Sequence, residues 1–318
     1  MLDKNVNLEG KNILVTGAAG FIGSNLVLEL LKTVKLVNIV GIDSVNDYYD
    51  VKIKEWRLEE LEKEAKAHKD STWKFVKGNI ADRSLIDSIF VEFKPAVVVN
   101  LAAQAGVINP DAYIEANIIG FYNILEACRH SYDNGEKGVE HLVYASSSSL
   151  YGTNKKVPYS TDDKVDNPVL LYAATKKSNE LMAHAYSKLC NIPSTGLRFF
   201  TVYGPAGRPD MAYFGFTNKL IQGENIQIFN YGNCKRDFTY VDDIVEGIKH
   251  VMQSAPARKN GEDGLPIPPY AVYNICNSNP ENLLDFVTIL QDELVRAEVL
   301  SKNYDFESHK KTCANATG

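Results

Sequence analysis

Three glycines, Gly17, Gly20 and Gly23, separate a short β-rich run, Lys11 to Thr16, from an apolar helical stretch, Ser24 to Leu31. A G-x-x-G-x-x-G turn at such a junction restricts the fold more than any other feature, because a strand that feeds straight into a helix belongs to a βαβ unit. Absent side chains there also let backbone amides and a helix N-terminus approach a pyrophosphate. The candidate residues of this turn are Gly17, Gly20, Phe21, Ile22 and Gly23.

The rest of the chain continues the rhythm. A second apolar strand, Val37 to Ile42, ends at Asp43, and Lys74 to Val76, Ala96 to Leu101, His141 to Ala145 and Ser194 to Arg198 supply further strands separated by helical patterns. This alternation predicts an α/β fold built on a doubly wound parallel sheet of the Rossmann type. Ala96 to Leu101 is nearly unbroken in its apolar character, as expected of a strand buried on both faces. Glu55 to Lys69 is dense in charge, and Trp56, Leu61 and Ala65 give it one shallow apolar face, so it reads as a solvated surface helix. Beyond Gly204 the rhythm loosens, and Ala255 to Tyr270 is a Pro- and Gly-rich loop leading to a strand at Ala271 to Ile275. The expected division is a nucleotide-binding domain over 1–203, with 236–254 returning to it, and a smaller C-terminal substrate lobe over 204–235 and 255–318.

Composition excludes several function classes. The 318 residues are 45% hydrophobic and 23% charged, an ordinary globular balance. A net charge of −6 makes nucleic acid and anionic membrane surfaces poor partners, so an anionic ligand must be met by local cations. The five cysteines show no C-x-x-C spacing and read as buried free thiols; neither a disulfide framework nor a metal site is expected. No secretory signal is visible, and no apolar run approaches the roughly 20 residues that cross a bilayer, which favours a cytoplasmic protein. The sequon at Asn315 to Thr317 is set aside as a chance match.

Asp43 stands twenty residues after Gly23 at a strand end, where a carboxylate accepts hydrogen bonds from ribose hydroxyls and repels a 2′-phosphate. NAD is therefore expected over NADP, with helix capping as the alternative role for Asp43. Asn79 and Ile80, after the third strand, are candidates to meet the adenine.

Tyr172 and Lys176 form a Y-x-x-x-K pair that places a phenol and an ammonium on one helix face. A free phenol ionises near pH 10, but an adjacent cation favours the phenolate and makes such a tyrosine a base. Upstream, the strand His141 to Ala145 runs into Ser146, Ser147, Ser148 and Ser149, a hydroxyl cluster at the strand end where open α/β sheets bind ligands.

The glycine turn, Asp43, the run Leu101, Ala102, Ala103, Gln104, the segment Ser147 to Gly152, and Tyr172 with Lys176 resemble the extended short-chain dehydrogenase/reductases. Ala102 to Val107, Asn117 to Phe121, Phe199 to Pro205 and Arg208 to Met211 are similar, more narrowly, to the UDP-glucuronate 4-epimerases among the NAD-dependent epimerases and dehydratases. The resemblance implies that NAD is held by the turn, Asp43, Leu101 to Gln104, Asn117, Tyr172 and Lys176. It further implies that Tyr172 takes the proton of the sugar's 4-hydroxyl, Lys176 binds the nicotinamide ribose, and Ser147 hydrogen-bonds the 4-hydroxyl. A transient 4-keto sugar would then be reduced from its other face, inverting C4. Ser148, Ser149, Thr201 and Arg208 match family positions near C6, and Arg208 suits a bidentate grip on a uronate. Arg236 matches the family arginine on the UDP diphosphate. Related dehydratases and decarboxylases carry an acid just after the catalytic Ser or Thr; Ser148 and Ser149 stand there instead, which favours epimerisation.

Two departures bear on activity. Family members carry an Arg-Tyr-Ser-like segment after Gly106 and Val107, whereas Val107 here runs directly into Ile108, Asn109 and Pro110. After Phe306 relatives continue into a segment and helix that close over UDP, whereas Lys310 to Gly318 reads as a polar tail without strand or helix signals, implying a shortened lobe. The alternatives are a UDP-glucose 4-epimerase and a non-catalytic NAD-binding regulator. A homodimer joined through a helix bundle is implied by the resemblance.

Overall fold

The structure, a computed structural model, describes residues 3–106 and 109–313. Val107 and Ile108, where the shortened loop falls, and the sequon at Asn315 lie outside the described residues. The chain opens with β1 (Asn12–Thr16), α1 (Phe21–Thr33), β2 (Asn38–Asp43), α2 (Val51–Ala67), β3 (Thr72–Lys77), α3 (Arg83–Phe93) and β4 (Val97–Asn100). There follow α4 (Pro110–Tyr113), a π-helical segment (Ile114–Gly120), α5 (Phe121–His130), β5 (His141–Ser147), a 3-10 turn (Ser148–Tyr151), α6 (Leu171–Cys190) and β6 (Ser194–Phe199). Next come β7 (Thr201–Tyr203), α7 (Ala212–Ile221), β8 (Ile226–Phe229), β9 (Lys235–Tyr240) and α8 (Val241–Met252). The last elements are β10 (Lys259–Asn260), β11 (Pro266–Ile267), β12 (Tyr270–Ile275), β13 (Pro280–Asn282), α9 (Leu283–Arg296) and β14 (Lys310–Cys313).

These elements form two compact units, one running to Phe199 and resuming over Val241–Ile275, the other comprising Phe200–Tyr240 and the chain from Cys276. The larger holds a seven-stranded sheet in the order β12-β6-β5-β4-β1-β2-β3. Every pairing in it is parallel. The chain moves outward from β1 to β3 and then crosses to β4, so the strand order reverses beside β1, where sheets of this kind open a ligand crevice at their carboxyl ends. One sheet face presents Leu14, Val40, Val98, Leu142 and Tyr144 to Phe90, Phe121, Ile124 and Ala183 of the covering helices. Ile13 and Val15, pointing to the other face by strand alternation, are equally buried. Full burial of each such side chain contributes about 1.5–3 kcal/mol, so the sheet is a rigid platform for its loops.

The boundaries differ from those read from the sequence. β12 pairs with β6 and completes the large sheet, so 255–275, assigned to the lobe from the sequence, belongs with the larger unit. β9 pairs with β7 and β13, so within 236–254 the return to the larger unit begins at α8.

The smaller unit is built around Leu220, Ile226, Ile228, Val287 and Leu294, with Tyr304 and Phe306 packed against them. The polar segment read as structureless is in part a strand: Lys310–Cys313 forms β14, parallel to β8 from Lys310↔Ile226 to Cys313↔Phe229. A four-residue run without apolar alternation gives no strand signal, but the open edge of β8 supplies backbone partners that fix it. Among the described residues no helix is long and apolar enough to cross a membrane.

Candidate active site

The glycine turn is tight for three separate reasons. Gly17 has φ +70°, and a Cβ there would lie 2.8 Å from the backbone nitrogen of Ala102. A Cβ on Gly20 would lie 2.9 Å from the Gly17 carbonyl oxygen, and one on Gly23 only 2.1 Å from the same atom. The turn thus brings β1, the loop after β4 and the start of α1 within backbone contact. No side chain caps α1 at Gly20, and no acidic residue sits in its first turn, so the amides of Phe21, Ile22 and Gly23 face outward with the positive end of the helix dipole.

Asp43 closes the turn from the β2 side. Its Oδ2 accepts from the Ala19 amide at 3.1 Å and its Oδ1 from the Val45 amide at 2.8 Å. Each carboxylate oxygen keeps a further lone pair, enough for a ribose diol. A cradle that any Cβ would fill, open helix amides and an acceptor carboxylate match the chemistry of NAD, for which Gly17 to Gly23 would hold the pyrophosphate and Asp43 the adenosine ribose.

Two cations in this region escape the sequence reading. Arg57 and Lys54 of α2 are buried, whereas Trp56, read as part of the apolar face, is 49% exposed. Arg57 Nη1 donates to the Ala19 carbonyl at 2.9 Å and to the Tyr49 hydroxyl at 2.6 Å, and Lys54 Nζ donates to the Asn46 carbonyl at 2.7 Å. Lys54, Arg57 and Leu61 fall at i, i+3 and i+7 on one helix face, a periodicity that charge density hides.

Asn79 Nδ2 donates to Glu115 at 2.7 Å and its Oδ1 accepts from the Ala81 amide, while the Ile80 side chain is buried. Ile80 therefore offers a ligand only backbone. The loop Leu101 to Gln104 is anchored at both ends: Leu101 and Ala102 donate to the Thr16 carbonyl and hydroxyl, and the Gln104 amide donates to Asn117 Oδ1 at 2.9 Å. Asn117 Nδ2 donates to the Gln104 carbonyl and to Thr175 Oγ1 at 3.0 Å, and its own carbonyl accepts from Asn179 at 2.6 Å. Asn117 lies in the π-helical segment, where backbone bonds run i to i+5 in place of i to i+4. The Asn117 amide is committed to the loop and to α6, and so bears on a cofactor through the placement of Leu101 to Gln104.

Ser147 ends β5 and caps the 3-10 turn, its Oγ accepting from the Ser149 amide at 3.1 Å. α6 packs against β5 and against this turn, bringing Tyr172 and Lys176 to the same strand end. Lys176 is 2% exposed, donates to the Ala145 carbonyl at 2.9 Å and stands 5.9 Å from the centre of the Tyr172 ring. Burial lowers its ammonium to about 8. The Tyr113 ring is tilted by 49° against that of Tyr172, with ring centres 6.1 Å apart. The Ser149 hydroxyl is buried without a hydrogen-bond partner.

In the smaller unit, Thr201 opens β7 opposite Phe238 of β9. Arg208 is held by Asp210 in a bidentate pair, Nε to Oδ1 at 3.0 Å and Nη2 to Oδ2 at 2.5 Å. Arg236 is exposed on β9, with Nη1 donating to the Lys235 carbonyl at 2.9 Å.

The NAD dependent epimerase/dehydratase family model matches residues 13–276. Protein CapI of Staphylococcus aureus is 49% identical over 303 residues, covering 92% of this chain and 85% of that protein. A probable UDP-glucuronate 4-epimerase of Rhizobium meliloti (strain 1021) is 40% identical over 297 residues, covering 90% of this chain and 83% of its own length. Among solved structures, a UDP-glucuronic acid 4-epimerase of Bacillus cereus in complex with UDP-glucuronic acid and NAD superposes with a TM-score of 0.76 at 29% identity, over 96% of this chain and 87% of that one. With a family match across both the glycine turn and the Tyr-Lys helix, and relatives this similar over nearly the whole chain, the protein belongs to the NAD dependent epimerase/dehydratase family.

Proposed function

We propose that this protein inverts C4 of UDP-glucuronate to give UDP-galacturonate through a transient 4-keto sugar. The observation that carries the reading is the centre at the end of β5, where Tyr172 and buried Lys176 face a strand end whose next hydroxyl after Ser147 and Ser148 is the unpartnered Ser149. Bound NAD supplies the reversible hydride acceptor. The chain supplies the proton chemistry: Tyr172 accepts the 4-hydroxyl proton, the Lys176 ammonium favours the phenolate, and Ser147 orients the 4-hydroxyl. Ser148 and Ser149 are neutral, so no acid follows Ser147 to move protons at C5 or C6, and the 4-keto sugar is reduced again rather than dehydrated. Thr201, Arg208 and Arg236 are assigned to the uronate and the diphosphate.

One observation favours a second reading, UDP-glucose 4-epimerase: Asp210 already neutralises Arg208, the cation proposed to meet the uronate. The test offers each sugar nucleotide to the NAD-loaded protein and follows C4 configuration by proton NMR. Conversion of UDP-glucuronate supports the first reading, and conversion of UDP-glucose alone replaces it by the second. A protein that retains NAD and converts neither is a non-catalytic binder.

Exposed apolar side chains on α5 and α6, including Tyr122, Leu181 at 61% and Leu189 at 83%, support a homodimer joined through these helices. Light scattering is expected to give twice the chain mass, falling to the chain mass in Leu181→Asp; a wild-type monomer at micromolar concentration removes the dimer from the proposal.

A further inference from the structure

One buried charged pair near the proposed centre has no role in the chemistry described. Glu180 lies one helical turn beyond Lys176 on α6, and Arg198 lies on β6; their side chains are 5% and 3% exposed. Arg198 grips the carboxylate with both arms, Nε to Oε1 and Nη2 to Oε2, each at 2.9 Å. Glu180 Oε1 also accepts the Ser146 hydroxyl at 2.7 Å. The third arm of Arg198, Nη1, donates to the Tyr151 hydroxyl at 3.0 Å, and that hydroxyl donates to Asn274 at 2.7 Å.

The partners of this pair share a location. Ser146 immediately precedes Ser147 and is the register partner of Arg198 in the β5–β6 pairing. Tyr151 ends the 3-10 turn that carries Ser148 and Ser149. Lys176 and Glu180, an inward-facing i, i+4 pair, reach the Ala145 carbonyl and the Ser146 hydroxyl, two consecutive residues of β5. For stability alone a buried ion pair offers little, because desolvation of both charges offsets their attraction and apolar residues of similar volume serve as well. Its geometric product is a fixed distance between the end of β5 and the Tyr172–Lys176 face of α6, and a displacement of about 1 Å in a reacting group costs on the order of 100-fold in rate.

We propose that Glu180, clamped by Arg198, is a positioning residue for the Ser147, Tyr172 and Lys176 centre, holding the carboxyl end of β5 in place against α6. This rests on the activity proposed above. The experiment compares wild type with Glu180→Leu combined with Arg198→Met, which replaces the pair by apolar groups of similar volume, and with Ser146→Ala, which leaves the pair but cuts its link to β5. The readouts are kcat, KM, NAD affinity, thermal midpoint and hydrogen exchange over 145–151. The double variant is expected to keep its NAD affinity, and to lose in midpoint no more than the stranded Ser146 hydroxyl accounts for, while kcat falls about 100-fold, KM stays within about threefold and 145–151 exchanges faster. Ser146→Ala is expected to lower kcat about 10-fold with the same split between kcat and KM. Folded variants with kcat within threefold of wild type, or with unchanged exchange over 145–151, overturn the proposal; so does a loss of kcat matched by an equal loss of midpoint and NAD affinity, which marks a merely structural pair. If the double variant does not fold, Ser146→Ala decides. A wild type that inverts no sugar defeats the activity reading alone, since exchange over 145–151 still reports positioning.

Discussion

Lys176 shows how burial and function oppose each other in one side chain. Among the described residues its ammonium donates to a neutral carbonyl and to no carboxylate, and removal from water lowers it to about 8, so near pH 7 it is charged without a buried anion beside it. Such a cation acts strongly on a neighbouring phenol because little solvent screens it. Lys176→Met is expected to lower kcat roughly 100-fold and to move the rise of rate with pH to more alkaline values, as the cation that favours phenolate is gone; an unshifted pH profile contradicts this role. Ser149 presents the complementary case. A buried hydroxyl without a partner costs about 1–3 kcal/mol in the ligand-free protein, and a substrate oxygen would recover it. Ser149→Ala should therefore raise the midpoint of the free protein while raising KM, and a variant that loses stability shows that the hydroxyl has a partner in solution.

At the scale of elements, α2 links cofactor loop and scaffold. Its buried cations reach across to Ala19 and Asn46, so that the glycine turn is gripped by Asp43 at the Ala19 amide and by Arg57 at the Ala19 carbonyl. Arg57→Met would leave the Ala19 carbonyl and the Tyr49 hydroxyl without this donor, at a cost of about 1–3 kcal/mol. NAD affinity measured by calorimetry is expected to fall about 10-fold, with little change in KM for the sugar once NAD is saturating; unchanged affinity means that the turn holds its shape without α2. The helix was legible as a helix, but not as a clamp, because a run dense in Glu and Lys looks solvated until the glycine turn and the loop after β2 cover part of it. β14 is similar: Lys310 to Cys313 has no strand pattern of its own and becomes a strand through the unpaired edge of β8.

At the scale of the molecule, the end of the sheet opposite the ligand crevice carries a titratable lock. His141, at the start of β5, faces Thr195 Oγ1 at 2.8 Å and the Met252 carbonyl at 3.3 Å, joining β5, β6 and α8. Burial lowers its imidazole to about 4. The unfolded chain, titrating near 6.5, binds a proton that the folded chain refuses between pH 6.5 and 4, so the stability is fully present above 6.5 and is lost as pH falls through that window. The loss reaches about 3 kcal/mol by pH 4. Urea midpoints measured from pH 7.5 down to 4.5 should fall in the wild type and flatten in His141→Gln; parallel curves for the two proteins would falsify the assignment.

What the sequence determined by itself is local and periodic: the turn whose positions 17, 20 and 23 admit only glycine, the carboxylate twenty residues on, the apolar parallel strands, and the phenol and ammonium one helical turn apart. Those features need only backbone sterics and the 3.6 and 2.0 repeats. What tertiary structure decided is everything that depends on which distant groups share a desolvated space. β12 joined the large sheet because β6 offered a parallel edge, and Glu180 came to face Arg198. Charge type is written in the chain, but whether a charge is solvated, paired or aimed at a reacting atom depends on burial, and burial is a property of the packed molecule.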